Sequence, residues 1–278
     1  MNVPEVDQVD LSAFSEGKAK ETRRFHESIP AYNRTPLVQL RGLGGKLGVK
    51  GIFVKNEAER FGMKAFKGLG GTYAMFRILC RELGLDLGKV DFSEFQKADV
   101  REKTAKYTFV TATDGNHGKG VSWASGLFGA HAYVYMPKGT VKAREEAVRQ
   151  AGPAEVTVTD WNYDDTVKYA KKMSEEHGWF LIQDTSWDGY EEIPGWIMDG
   201  YLTMASEAAE QTEAAGEIPT HVFLQAGVGS MAGAVAGYLV NHYGEKAPKI
   251  MIPSSARLMI PLRSANTPAS ATIIRGTA

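Results

Sequence analysis

From Tyr107 onward, short apolar strand-like runs alternate with helical stretches over short connections, and this restricts the fold more than any other feature. Strands are predicted at residues 107–112, 131–136, 155–159, 180–182 and 221–225, with another beginning at 249–252. Helices are predicted at 118–128, 141–150, 197–214 and 229–243. A further helix follows Asn162, which can cap it. Asp164 and Asp165 then stand in its first turn, where the helix dipole favours acids, and Tyr163, Val167, Ala170 and Met173 form its buried stripe. Upstream, residues 51–55 read as a strand and 70–83 as a helix with Ala74, Ile78 and Leu79 at helical spacing. Residues 84–105 read as a charged surface excursion, and 1–20 as loosely attached. Such alternation implies an α/β fold, mainly parallel sheet covered by helices.

Open sheets of this kind bind ligands beyond the carboxyl ends of their strands, so three strand ends carry the functional reading. After the strand 107–112 comes Thr113-Asp114-Gly115-Asn116-His117-Gly118. Its glycines allow amides to face a ligand at a helix start, although turn chemistry explains each residue singly. After 221–225 comes Ala226-Gly227-Val228-Gly229-Ser230-Met231-Ala232, a glycine-rich entry into a helix and an anion cradle by the same physics. A dinucleotide site would also need an acid at the next strand end to hold a ribose. That position reads Ile252-Pro253-Ser254-Ser255, so a phosphate cradle fits better. After 180–182, Asp184 is an acid at a strand end, a position more often occupied by a cap than a catalyst. Lys67 stands before Gly68-Leu69-Gly70-Gly71 at a predicted helix start. It reads as a solvated charge or, in a sheltered pocket, as an imine-forming amine.

Composition excludes other classes. The 278 residues suffice for one large domain or two smaller ones. The 32 basic and 33 acidic residues nearly cancel, so no overall field draws the chain to nucleic acid or an anionic membrane. One cysteine allows no internal disulfide, no apolar run is long enough to span a membrane, and the N-terminus has no secretory core. A cytoplasmic protein is expected. The six histidines are scattered, so no metal site is expected, and Cys80 reads as core.

A lysine before a glycine-rich helix start, an Asn-His loop and a later glycine-rich phosphate loop occur in that order. The set resembles the fold type II pyridoxal-phosphate enzymes, and within them the diaminopropionate ammonia-lyase family. Arg34-Thr35-Pro36-Leu37, Glu59-Arg60-Phe61-Gly62, Asn162-Tyr163-Asp164-Asp165 and Gln183-Asp184-Thr185 add to the likeness, which covers roughly residues 20–252. The resemblance implies that Lys67 carries pyridoxal 5'-phosphate as an imine. Asn116 meets its phenolic oxygen, and the amides of Gly227, Val228, Gly229, Ser230 and Met231 hold its phosphate. Thr113 to His117, including Gly115, receive the substrate carboxylate, and Asp114 and Asp184 are the acid–base carboxylates. The implied reaction is α,β-elimination of ammonia from 2,3-diaminopropionate in a homodimer.

The resemblance also implies two domains: residues 1–66 and 180–252 in the large one, 67–179 in the small one, and 253–278 as an atypical tail. Residues 246–278 hold five basic residues and no acidic one. From Pro253 onward the text shows no strand or helix period, and the acid-free end fits a truncated chain, leaving the large domain incomplete. The alternatives are an inactive pseudoenzyme and a serine/threonine dehydratase. Asp114, where dehydratases usually carry serine, argues against the second.

Overall fold

The computed structural model describes residues 10–253 and 271–276. Expectations for residues 1–9, 254–270 and 277–278 lie outside the described residues. Two sheets form the frame. The first has the order β5-β4-β3-β6, built from β3 (Thr108–Ala112), β4 (His131–Met136), β5 (Glu155–Val158) and β6 (Phe180–Leu181), all parallel. The second contains β1 (Leu37–Gln39), β2 (Gly51–Asn56), β7 (His221–Phe223), β8 (Lys249–Met251) and β9 (Ala271–Gly276), in the order β1-β2-β9-β7-β8. Here only β7 and β8 run parallel; the other pairs are antiparallel.

The helices are α1 (Glu16–Glu27), α2 (Arg41–Leu47), α3 (Lys67–Leu83), α4 (Ala98–Thr104), α5 (Asn116–Phe128), α6 (Lys142–Ala151), α7 (Tyr163–His177), α8 (Glu192–Ala214) and α9 (Ser230–Tyr243). Asn162 caps α7 as expected, its side chain accepting from the Asp165 amide at 2.9 Å.

Four expectations shift. Residues 10–20 are not loose: α1 starts at Glu16, Ala19 and Phe25 are buried, and the Phe14 ring lies against Gly237, where a Cβ would meet it at 2.4 Å. Residues 84–105 are anchored, because Phe92, Phe95 and Val100 sit buried among the charges and Phe95 stacks edge-on against Phe128 at 5.0 Å. The expected boundary at residue 180 falls inside the four-stranded sheet, where Phe180 pairs with Phe109. Finally, the text after Ile252 does contain a strand. The β9 backbone lies between β2 and β7, and it holds a run of Thr272, Ile273 and Ile274 that β structure favours.

Helix α3 runs through the middle of the molecule. From Gly68 to Cys80 only Arg77 is not buried, the signature of a helix enclosed on all sides. Burial pushes the Cys80 thiol up to about 12, so it is an inert part of this core. Glycines bring the neighbours in. A Cβ on Gly200 of α8 would lie 2.6 Å from Leu69 O, and one on Gly120 of α5 would lie 3.0 Å from Lys67 O. His26 of α1 joins the same seam, with Nε2 3.0 Å from Leu69 O and Nδ1 2.7 Å from the Thr203 hydroxyl of α8. Burial, aided by the Arg60 charge, pushes His26 down to about 3, so it is a neutral bridge.

The Arg34-Thr35 and Glu59-Arg60 motifs build a buried ionic cluster. Arg60, Glu57, Lys55 and Glu207 are all fully buried. Arg60 grips Glu207 at 2.7 and 2.9 Å and Glu57 at 2.8 and 2.9 Å. Lys55 reaches Glu207 at 2.5 Å and Thr35 O at 2.7 Å. Burial opposes the Glu207 charge, but Arg60 and then Lys55 outweigh it and hold the carboxyl at about 2.

Two predictions follow from this packing. Gly200→Ala is expected to destabilise the fold by about 1–3 kcal/mol, because backbone must move to admit the methyl. Helix propensity alone would instead stabilise it by roughly 0.5–1 kcal/mol, so the sign of the change in urea midpoint decides. Glu207→Gln is expected to cost about 3–5 kcal/mol at pH 7, leaving buried Lys55 without a carboxylate partner and Arg60 with Glu57 alone. The Glu207 pKa is depressed on folding, so its contribution is present above about pH 4 and is lost as the pH falls through about 2. Stability against pH should therefore be flatter in the variant; equal stability at pH 7 would contradict the cluster's role.

Candidate active site

The carboxyl ends of β3, β6 and β7 face the N-termini of α3, α5 and α9, and two adjoining cavities open there. The smaller, about 150 Å³, is lined by Phe66, Lys67, Asn116, Asp184, Tyr201 and the segment from Gln225 to Ala232. The larger, about 670 Å³, is lined by Lys67, residues 113–117, Lys119, Arg144, Tyr163, Asp184, Gly227 and Val228. Each residue expected to act in catalysis, cofactor binding or substrate binding borders one cavity or both.

Lys67 is the first residue of α3, reached through a loop in which Phe61 and Lys64 hold φ of 50° and 58°. Such left-handed backbone in residues with a Cβ costs roughly 1–2 kcal/mol per residue, and contacts hold it. Phe61 stacks on Trp123 at 4.5 Å, Lys119 Nζ donates to Met63 O at 2.6 Å, and the Arg60 cluster fixes the loop's start. The Lys67 ammonium donates to Asp184 Oδ2.

Asp184 is not a cap. It is 4% exposed, and the Ser230 hydroxyl donates to its backbone carbonyl at 2.5 Å. Burial works against its charge, and the cationic neighbours, His117 when protonated and Lys67, outweigh it and hold the carboxyl below the usual range. Burial keeps His117 itself below its ordinary value, so near neutral pH Lys67 is the cation that matters. Asp114, by contrast, is exposed at the mouth of the larger cavity.

Between Thr113 and His117 the groups divide. Thr113 is 1% exposed, and its Oγ1 accepts from the amides of Gly115 and Gly118 at 3.0 and 3.1 Å. That hydroxyl oxygen caps α5, and the Gly115 amide is already engaged. The Asn116 side chain takes no protein partner among the described residues and lines both cavities. His117 turns inward, with Nε2 2.7 Å from Ile182 O.

The segment from Gly227 to Met231 enters α9 through Gly229 at φ 98°. Among the described residues none of its amides donates to a backbone carbonyl, so five N–H groups meet at a helix N-terminus, where an anion is favoured. Gln225 Nε2, at the start of this wall, is buried without a partner.

The sequence reading missed Tyr163. Assigned there to the buried stripe of α7, it lines the larger cavity instead, and its hydroxyl accepts from Gln183 Nε2 at 3.1 Å. Burial, with the charges of Asp184 and Asp114, pushes its phenol up to about 12. Its place next to the capping Asn162, facing a strand end, was the available signal. Among the described residues no cluster of metal-ligating side chains occurs, and no helix is long and apolar enough to cross a membrane.

A lysine–carboxylate pair beside an amide cradle, on two sheets flanked by helices, defines a class. Residues 29–277 match the family described as "Pyridoxal-phosphate dependent enzyme", and the chain belongs to that family. Within it, the chain is similar to diaminopropionate ammonia-lyase of Escherichia coli K12, at 50% identity over 230 residues, 83% of this chain and 56% of the relative. The apo structure of the E. coli lyase matches with a TM-score of 0.82 at 47% identity, covering 88% of this chain and 66% of that one. The same lyase in complex with an aminoacrylate-PLP azomethine reaction intermediate matches with a TM-score of 0.80. The chain spans 56% of the length of the curated E. coli relative.

Proposed function

We propose that this chain carries the site of a pyridoxal-phosphate-dependent carbon–nitrogen lyase acting on 2,3-diaminopropionate, with pyruvate and two ammonia as products. The observation that carries the reading is the convergence of Lys67, Asp184 and the α9 amides on one cavity. The residues present fit the cofactor. Five unengaged amides and a buried, partnerless Gln225 amide suit a phosphate ester, and Lys67 lines the same cavity. In this reading Lys67 holds the cofactor's carbonyl carbon, Asn116 meets its phenolic oxygen, and the amides from Gly227 to Met231 hold its phosphate. When bound, the cofactor supplies an electron sink for the pair left by loss of the α-proton.

The chain's own groups do the rest. Asp184 keeps Lys67 oriented and, with it, is placed to move a proton. Asp114 offers an exposed carboxylate at the cavity mouth. A carboxylate there attracts the second ammonium of the substrate and keeps it protonated, which makes it a better leaving group. The free amides of Asn116 and His117 are left for the substrate carboxylate, with Thr113 and Gly115 shaping the turn. We further propose a homodimer in the cytoplasm; buried Cys80 is compatible with a reducing compartment, and sizing chromatography reads the oligomeric state.

Purified chain with pyridoxal phosphate is expected to show a visible band that borohydride fixes onto Lys67, and Lys67→Ala is expected to show none. Turnover should release two ammonia per pyruvate from diaminopropionate; one per pyruvate, from serine, would assign a dehydratase. No band in a folded sample would mean the described residues do not suffice to hold the cofactor, as in the pseudoenzyme alternative. If the two carboxylates serve opposite faces of the substrate, Asp114→Asn and Asp184→Asn should each lower turnover of one enantiomer by 10²-fold or more. Equal losses on both enantiomers would refute that division.

A further inference from the structure

A buried acceptor faces Asp184. His117 is 3% exposed, and its Nε2 lies 2.7 Å from Ile182 O. A carbonyl only accepts, so Nε2 carries the ring proton and Nδ1 is a bare lone pair. That Nδ1 is buried without a hydrogen-bond partner, 3.8 Å from Asp184 Oδ2. The same Oδ2 accepts from Lys67. An unsatisfied buried acceptor is destabilising, so its place here points to a state in which a donor arrives. Asp184 becomes such a donor when it is protonated.

We propose that His117 is a positioning residue acting through Asp184: when Oδ2 gains a proton within the site, the new O–H turns to donate to His117 Nδ1, and the pair holds that one proton. The O–H bond forms on Asp184 as the bond breaks on the proton's source, the Lys67 ammonium or the substrate's α-carbon, which keeps the electron pair. The carboxylate loses its charge, and its grip on Lys67 loosens at the same moment. The charged and titratable groups facing the pair are Lys67 on α3, Asp114 before α5, Tyr163 on α7, Tyr190 after β6 and Tyr201 on α8. Burial favours neutral His117, the form that accepts. The inference rests on the reading that Asp184 moves protons in the proposed reaction.

The first test is ¹⁵N NMR of histidine-labelled full chain without added cofactor. His117 is expected as the Nε2–H tautomer with an unbonded Nδ1 resonance. Asp184→Asn, whose amide is a permanent donor, should move that resonance to its hydrogen-bonded position at every pH. The opposite tautomer, or no shift in the variant, would overturn the proposal. The second test is His117→Gln, which keeps an N–H for Ile182 O but has no atom at Nδ1. With cofactor and diaminopropionate it should lower kcat about tenfold, the size of one buried hydrogen bond. The acid limb of kcat should move about one unit lower, because protonated Asp184 has lost its acceptor, with KM within about twofold. An unmoved limb would overturn the proposal. Failure of the cofactor reading appears separately, as an absent Lys67 band, and leaves the NMR result readable.

Discussion

Helix α3 is enclosed by α1, α5 and α8, and that enclosure fixes Lys67. Glycines at 120 and 200 let neighbouring helices press against the backbone of residues 67–70, closer than any side chain would permit. A flexible lysine is thereby attached to one of the most deeply buried and closely packed stretches of the molecule. Close-packed support of this kind is what a reacting group needs, since small misplacements carry large losses in rate.

The buried ionic cluster works one step upstream. Glu207 projects from α8, Lys55 from β2, and Glu57 and Arg60 from the turn that follows it. Two cations and two carboxylates meet with every short contact satisfied, the condition under which buried charge is tolerable. The cluster anchors the start of the loop that passes through Phe61 and Lys64 in left-handed backbone before reaching Lys67. Strain of this sort persists where surrounding structure over-determines it. Arg34, Thr35 and Arg60, which carried part of the resemblance, thus have a supporting place and do not line either cavity.

Much of the site was legible because strand ends and glycine-rich helix starts are local signals. Lys67, Asn116, Asp184 and the Gly227–Met231 turn were found from text alone, and all border the cavities. Tyr163 was misread because helical spacing assigns a face and cannot say whether that face meets core or cavity. Thr113 and His117 were grouped with the ligand-facing residues, yet Thr113 Oγ1 caps α5 and the His117 ring turns inward to Ile182. Phe92 and Phe95 were hidden by the charges around them. The β9 strand was hidden because only Thr272, Ile273 and Ile274 of its six residues favour β structure, and they follow a long stretch rich in Ser, Pro and Ala.

The sequence by itself determined the α/β alternation, the capped start of α7, the glycine-rich turns and the order of the candidate groups. These are short-range properties, set by backbone sterics, hydrophobic period and capping chemistry within a few residues. Tertiary structure alone decided that Lys67 meets Asp184 across 117 positions of chain, and that His117 presents a bare nitrogen to that carboxylate. It also decided that Glu207 gathers Arg60 and Lys55. Burial and charge pairing depend on which distant surfaces exclude water together, and no local pattern records that.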